Sequence, residues 1–163
     1  MGRRLLRASA LLGVVTLVLL AVACGAARAS DSPADLERQV AGWVASGQFG
    51  KIYDLMPPQQ QAAIPYSKWY GCVVGGLALA KAFGADFKSI KFVSAKTLPG
   101  TKTITLPGTN VKVTGTVVRS TVSLLEGGKR ATSTDDVRWV QVEGEWRRVD
   151  DDIADYKKPG CGH

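Results

Sequence analysis

Apolar and polar residues follow three different patterns along this 163-residue chain. No residue between Ala8 and Ala23 is charged. From about Ser32 to Ala80, apolar residues recur every three or four positions, which is the period of a helix that buries one face. From Phe87 onward they follow a period of two and many are β-branched, as in strands with one buried side. The pattern therefore predicts an apolar N-terminal segment, then helices, then a sheet.

The first predicted helix has favourable residues at both ends. Ser32 is a preferred N-cap, Pro33 suits the first helical position, and Gly47 suits the residue that follows the last turn. This helix is expected to pack on the rest of the domain through one apolar face. The side chains on that face are Leu36, Val40, Trp43 and Val44.

Further helices are predicted up to residue 80. A short helix over residues 50–56 ends at Pro57 and Pro58, because proline breaks a helix interior, and residues 59–64 predict another turn or two. Ser67 is predicted to cap a third, longer helix, whose middle is weakened by two adjacent glycines. One face of that helix carries Trp69, Cys72, Val73, Leu77 and Ala80.

Four longer strands and one short strand are predicted in the second half of the chain. The pairs Gly127-Gly128 and Glu143-Gly144 are short turns, so the last three strands should form an antiparallel meander. Two Pro-Gly turns flank the short strand. In chain order, the predicted strands are Phe87–Leu98, Lys102–Leu106, Val111–Glu126, Arg130–Val142 and Glu145–Asp150.

The alternation changes phase inside the strand Val111–Glu126. Val113 and Val117 share one parity, whereas Val118 and Val122 share the other. This change predicts a bulge or bend near residues 115–118, which would curl the sheet. Helices followed by a curved antiparallel sheet predict an α+β fold, with the N-terminal helices on the concave face and one domain over residues 32–155.

The N-terminal segment has the features of an export signal. Arg3, Arg4 and Arg7 precede the uncharged run, whose sixteen residues are fewer than the roughly 20 that cross a bilayer as a helix. We therefore expect the mature protein to work outside the cytoplasm. Removing these three arginines lowers the formal net charge from +7 to +4. The remaining basic residues are scattered, so nucleic acid is not an expected partner.

Two processing sites remain open at the end of the signal. The sequence Leu20-Ala21-Val22-Ala23-Cys24 resembles a bacterial lipobox. Lipidation of Cys24 would make residues 1–23 the signal peptide and residues 24–31 a short leader, and would hold the protein on the outer face of the cell membrane. The sequence Ala27-Arg28-Ala29 is instead a site for ordinary signal peptidase, whose cut would remove residues 1–29 and release the protein.

The sequence offers few groups for catalysis. Its single histidine is His163, the last residue, and it has no G-x-S-x-G motif. Asp54, beside Tyr53, is the best carboxylate for a pocket rim, because burial among aromatic rings would raise its pKa. The competing interpretation is an exposed helix aspartate. The run Asp150-Asp151-Asp152 lacks the spacing of a calcium loop and is interpreted as a solvated strand end. We expect no metal and no cofactor, and we favour a protein without catalytic activity.

Two cysteines remain once Cys24 is lipidated or removed, namely Cys72 and Cys161. A pair of cysteines in an oxidising compartment predicts one disulfide. It would close a loop of about 90 residues and hold the tail, residues 156–163, against the third helix. Two free thiols are the alternative.

Four segments of the chain resemble a known superfamily. They are Trp43–Gly47, Ile52–Gln60, Trp69–Cys72 and Trp139–Arg147. Together they are similar to small exported members, of actinobacterial type, of the NTF2-like (cystatin-like) superfamily, and the similarity covers about residues 32–152. The resemblance implies a cone in which helices close over a bent sheet and enclose a pocket. Because this superfamily includes isomerases, dehydratases, cyclases, transport adaptors and proteins without assigned activity, the fold does not settle the function.

Aromatic side chains are candidates for the lining of such a pocket, and the alternative interpretation places them in the core. These candidates are Tyr53, Tyr66, Trp69 and Trp139. The function we expect is a non-enzymatic exported domain, anchored by a lipid on Cys24, that binds a small apolar ligand, a lipid or an envelope protein. Two alternatives stay open: a small envelope enzyme of isomerase or hydrolase type that uses a pocket Asp or Tyr, and an accessory or inhibitory partner of a secreted enzyme that pairs through a sheet edge.

Overall fold

The computed structural model describes residues 31–162. The expected signal peptide, the lipidation site Cys24 and the terminal His163 lie outside these residues. The helices are α1 (Pro33–Ser46), α2 (Phe49–Asp54), α3 (Pro58–Ala63), α4 (Tyr66–Ala82) and α5 (Ile153–Tyr156), and a 3-10 turn covers Pro159–Gly162. The strands are β1 (Ala85–Thr97), β2 (Lys102–Thr105), β3 (Lys112–Glu126), β4 (Lys129–Val142) and β5 (Glu145–Arg148).

The fold is α+β, as the order of helices and strands predicted. The five strands form one curved, unclosed antiparallel sheet. Strands β1, β3, β4 and β5 are neighbours in that order, and β2 pairs with β3 beyond the end of β1. The predicted meander of the last three strands is confirmed, and all five strand ranges agree with the prediction to within two residues.

The predicted ends of α1 are confirmed. The hydroxyl oxygen of Ser32 accepts a hydrogen bond from the backbone N–H of Asp35 at 3.2 Å, so it satisfies one of the free donors of the first turn. Gly47 adopts the left-handed conformation, with φ of 71°, and its N–H returns to the carbonyl of Val44. Contacts within four residues therefore define both ends of this helix.

The predicted start of α4 is wrong by two residues. The helix begins at Tyr66 and its N-cap is Pro65, with no side-chain cap, so Ser67 lies inside the first turn. The backbone N–H groups of Lys68 and Trp69 donate to the carbonyl of Pro65. Because Pro65 is extended, with ψ of 149°, its carbonyl is available to start the helix without a hydroxyl cap. The two glycines in the middle of α4 do not interrupt it.

Of the bulge or bend predicted in β3, the bulge is wrong. The pairing of β3 with β4 runs without a shift from Gly115 opposite Val140 to Glu126 opposite Lys129, and the shifts lie in β1 instead. The phase of the pattern changes because opposite faces of the sheet are buried at the two ends of β3. Val113 packs with Val140 on one face, whereas Val118 packs with Trp139 on the other.

Glycine is required where β3 passes from one partner to the next. A Cβ at Gly115 would collide with the carbonyl oxygen of Trp139 and with the side chains of Ile104 and Val140. At this residue β3 ends its pairing with β2, and its pairing with β1 starts three residues later. The close approach of the three strands here depends on the missing side chain.

The predicted disulfide between Cys72 and Cys161 is present, with the two Cα atoms 5.5 Å apart. It joins the buried face of α4 to the terminal 3-10 turn. Tyr156, the last residue of α5, packs against the core cluster that contains Trp69. The bond therefore holds the C-terminal segment against α4. Within residues 31–162, no helix has both the length and the apolar character that a membrane crossing requires.

Candidate functional site

A cavity of about 430 Å³ lies between the helices and one end of the sheet. Its apolar wall is supplied mainly by α1, α2 and α4, through Val40, Val44, Phe49, Ile52, Trp69, Val73 and Leu77. Its remaining wall comes from β4, β5 and the segment that leads to α5. Those residues are Asp135, Asp136, Val137, Arg148, Val149, Asp150, Asp151, Asp152 and Tyr156. One wall is thus apolar and the opposite wall is largely acidic.

The helical periodicity of the sequence produces the apolar wall. Val40 and Val44 are four residues apart in α1, and Trp69, Val73 and Leu77 are each four apart in α4. Residues at this spacing lie one above another on one helix face. A smaller cavity of about 160 Å³ shares Val40 and Val44 with the first and extends between α1 and the sheet.

Asp150 is held in place from three directions. Its carboxylate oxygen Oδ2 accepts a hydrogen bond from the indole Nε1 of Trp69 at 2.7 Å, and Oδ1 accepts from the backbone N–H of Asp152 at 2.9 Å. The fully buried amide of Gln60 binds the backbone of Asp150 on both sides, since it donates to the carbonyl and accepts from the N–H. The position of this carboxylate therefore depends on α3 and α4 together.

The surroundings of Asp150 shift the pKa of its carboxyl. Burial raises the pKa of this carboxyl above its ordinary value, and the neighbouring Asp152 raises it further. The hydrogen bonds from Trp69 and from the Asp152 N–H, together with the charge of Arg148, act in the opposite direction but do not cancel the effect of burial. Burial, followed by the charges of Asp150 and Asp152, also raises the pKa of Tyr156.

A buried ionic contact closes the inner side of the site. Oε1 of Glu37 accepts from the indole Nε1 of Trp139 and from Nε of Arg148, both at 3.0 Å. Glu37 is only 4% exposed, and these two donors fix α1 against β4 and β5. Arg148 lines the cavity, but its charge is already paired.

Of the four aromatic residues predicted to line a pocket, Trp69 lines this cavity. Trp139 is fully buried in the core and is bound to Glu37. The hydroxyl of Tyr53 donates to the carbonyl of Ile64 at 2.8 Å, so Tyr53 joins α2 to the end of α3. Tyr66 is 42% exposed and packs its ring against Tyr53 and Trp69. Tyr53, Tyr66 and Trp139 therefore do not line the cavity and instead pack in the structure around it.

Asp54 does not line the cavity, whereas Asp150 and four other aspartates do. Asp54 is exposed on α2, and its backbone carbonyl accepts from Nη1 of Arg147 at 2.8 Å. The interpretation of residues 150–152 as a solvated strand end is wrong for Asp150, which is half-buried and bonded to Trp69. The sequence carried one signal for this, because the run lies between two residues that are buried, Val149 and Ile153.

The arrangement is suited to holding a ligand or a proton. In the part of the chain that the structure describes, the His, Cys, Asp and Glu side chains form no group of three or more that could hold a metal ion. Asp150 and Tyr156 are the two cavity residues with raised pKa values. Comparison with protein-family models, with curated proteins and with solved structures finds no match to this chain.

Proposed function

We propose that this protein is an exported, lipid-anchored binding domain without catalytic activity, and that it holds a small apolar molecule in the cavity between its helices and its sheet. The observation that carries the proposal is the cavity of about 430 Å³ with an apolar wall from three helices. Sites for small molecules are concave and mostly apolar, with volumes of about 300–1,000 Å³. The cavity falls within that range.

Two features support the assignment to the cell exterior. The basic head, the uncharged run and the sequence that resembles a lipobox support lipidation of Cys24. The disulfide between Cys72 and Cys161 is compatible with an exported protein, because disulfides persist in oxidising compartments. The order of helices and curved sheet also supports our proposal that the domain belongs to the NTF2-like superfamily.

Binding of a neutral apolar fluorophore, N-phenyl-1-naphthylamine, tests the proposal. We expect the wild-type protein to enhance its fluorescence with saturation at one molecule per chain. Val73→Trp should abolish this binding, because Val73 lines the cavity and the larger side chain would fill it. Val74→Trp is the matched control, since Val74 is the next residue of the same helix and is exposed.

The pair of variants identifies where the fluorophore binds. Equal binding by both variants would place it outside the cavity, and no binding by the wild type would remove the support for an apolar site. Val44→Phe, on α1 in the same apolar wall, repeats the test in case the indole at residue 73 disturbs folding, and circular dichroism checks each variant.

A small envelope enzyme is the second candidate function, and Asp150 is the observation that favours it. A carboxyl whose pKa is raised by burial is a candidate general acid or base. Tyr156 shares the cavity with it. An isomerase or hydrolase activity that is lost in Asp150→Asn but kept in Asp54→Asn would favour the enzyme over the binding domain.

A further inference from the structure

We propose that the ligand of this cavity is an apolar molecule that carries a positively charged amine, with the amine held at the acidic wall by Asp150 and Asp152. The inference rests on the proposed function, because it assigns a chemical class to the molecule that the cavity binds. It is carried by the apolar wall of the cavity together with the charges that face it.

The acidic wall contains more negative charge than its neighbours neutralise. Five aspartates line the cavity, against one basic residue, Arg148. Two of the five are paired with arginines outside the lining: Asp136 with Arg119, at 2.8 Å, and Asp151 with Arg138. The other three are Asp135, Asp150 and Asp152. Among residues 31–162, none of these three has a Lys or Arg nitrogen within ion-pair distance.

The single basic residue of the lining does not offer a free charge. The Nε of Arg148 binds Oε1 of Glu37, whose side chain is 5% exposed. A carboxylate or phosphate ligand would therefore meet three uncompensated aspartates and one arginine that is already paired. Coulomb repulsion at such short range disfavours an anionic ligand in a partly enclosed site.

Asp150 keeps room for a ligand donor. An ionised carboxylate has about four lone-pair sites on its two oxygens. Two hydrogen bonds occupy one site on each oxygen of Asp150, from Asp152 N–H and from Trp69 Nε1. An ammonium group supplies up to three donors without any acceptor, so it fits a wall of carboxylates that still have lone pairs to share.

Aromatic rings in the lining of the cavity also favour a positively charged ligand. Phe49, Trp69 and Tyr156 line the cavity together with the aspartates. The faces of aromatic rings attract cations, and the attraction grows as the cation loses water. The apolar body of the ligand would lie against Val40, Val44 and Val73, with its charge directed toward the acidic wall.

Three probes with one hydrocarbon chain test the preference, each used below its micelle concentration: decylamine, decanol and decanoate. Displacement of N-phenyl-1-naphthylamine from the cavity gives the affinities at pH 7. We expect decylamine to bind at least about tenfold more tightly than decanol, because a charge-assisted contact is added, and decanoate to bind most weakly. Added salt should weaken decylamine binding and leave decanol binding unchanged.

Variants locate the charge effect. Asp152→Asn should lower decylamine affinity, and the double variant Asp150→Asn, Asp152→Asn should lower it by about tenfold. Both variants should leave decanol affinity unchanged. Asp155→Asn is the control, because Asp155 is exposed on α5 and does not line the cavity. Asp152 is exposed, so its single variant remains informative if the double variant folds poorly.

The outcomes separate this inference from the function on which it rests. Equal affinity for the three probes, or tighter binding of decanoate, overturns the preference for an amine while the apolar cavity remains a binding site. If the fluorophore does not bind to the wild type, the proposed function fails as well, whereas a bound fluorophore that none of the three probes displaces overturns the preference for an amine alone. Loss of decylamine binding in Asp155→Asn would also overturn the assignment to this wall.

Discussion

At the scale of single residues, Glu37 is the one charged side chain of residues 31–162 that is buried. It accepts hydrogen bonds from Trp139, which is 102 residues away in the sequence, and from Arg148. These contacts join the first helix to the last two strands. Removing one partner of a buried ionic contact leaves the others without compensation, and this costs more free energy than the contact contributes when it is whole.

We predict that Glu37→Ala lowers the free energy of unfolding by about 3 kcal/mol. Glu37→Gln should cost less, about 1 kcal/mol, because its amide oxygen still accepts from the indole. Urea unfolding at pH 7 measures both. Glu126→Ala is the control, since Glu126 is exposed at the end of β3, and its effect should stay within about 0.5 kcal/mol. Equal values for all three variants would contradict the role of Glu37.

Asp150 should give stability a distinctive dependence on pH. Burial raises the pKa of Asp150 in the folded protein above the ordinary 3.8. At a pH between the pKa of Asp150 in the unfolded chain and its higher pKa in the folded protein, the folded chain keeps a proton that the unfolded chain has released. The free energy of unfolding therefore falls as pH rises through this window. Asp150→Asn cannot ionise and should lose this part of the dependence.

Urea unfolding of wild type and Asp150→Asn between pH 3.5 and 7, in steps of about half a unit, measures the difference. The variant should gain stability relative to the wild type as pH rises through the window, and the difference should be constant above it. Asp155→Asn provides the comparison for an exposed aspartate of the same segment. A difference that does not vary with pH would refute the prediction.

The residues that the sequence predicted well act on near neighbours. Ser32 and Gly47 bond to groups within four residues, so their roles follow from local chemistry. Asp150 was missed because its burial depends on Trp69 and Gln60, which are 81 and 90 residues away. The aromatic candidates were residues of the right type, but only tertiary packing decides that Trp69 faces the cavity and that Trp139 faces the core.

At the scale of elements, the disulfide connects one wall of the cavity to its opposite side. Cys72 lies on α4 between two residues of the apolar wall, Trp69 and Val73. Cys161 follows α5, which supplies Tyr156. The bond therefore restrains both the whole fold and the relation between α4 and α5.

We predict that replacing both cysteines by serine lowers the free energy of unfolding by about 2–4 kcal/mol, because the unfolded chain regains the freedom of an open loop. Reductant should destabilise the wild type by a similar amount and leave the double variant unchanged. In the reduced wild type, the amide N–H groups of Tyr156 and Cys161 should exchange faster than in the oxidised wild type. Both groups donate hydrogen bonds within the C-terminal segment. Equal stability of oxidised and reduced wild type would contradict this account.

The strands were predictable from the sequence, whereas the bulge was placed in β3 and the register shifts lie in β1. Period-two alternation and glycine turns give strand limits directly, as in β3 and β4. The phase change in β3 has two physical causes, a bulge or a change in the buried face, and the pattern alone does not separate them. Packing of Val113 and Val118 into different clusters decides for the second cause.

At the scale of the whole molecule, the proposed attachment to the membrane is the hypothesis with the clearest test. We predict that the mature protein extracted from membranes begins at Cys24 and carries acyl groups on it. Intact mass measurement reports the first residue, the acyl groups and the disulfide together. Cys24→Ala should move the protein from the membrane fraction to the medium. A wild-type chain that begins at Ser30 and is found in the medium would contradict lipidation.

The disulfide has a further consequence for the survival of the molecule among proteases. Every strand of the sheet lies between Cys72 and Cys161, so this covalent ring contains all the β-hairpin turns. A protease that cuts the exposed turn at Gly127-Gly128 or at Glu143-Gly144 opens the ring at one point and releases no fragment. The two pieces stay joined through sulfur and paired through the sheet, so a nicked molecule keeps all its strands, and two cuts within the ring are needed before any part of the ring can leave.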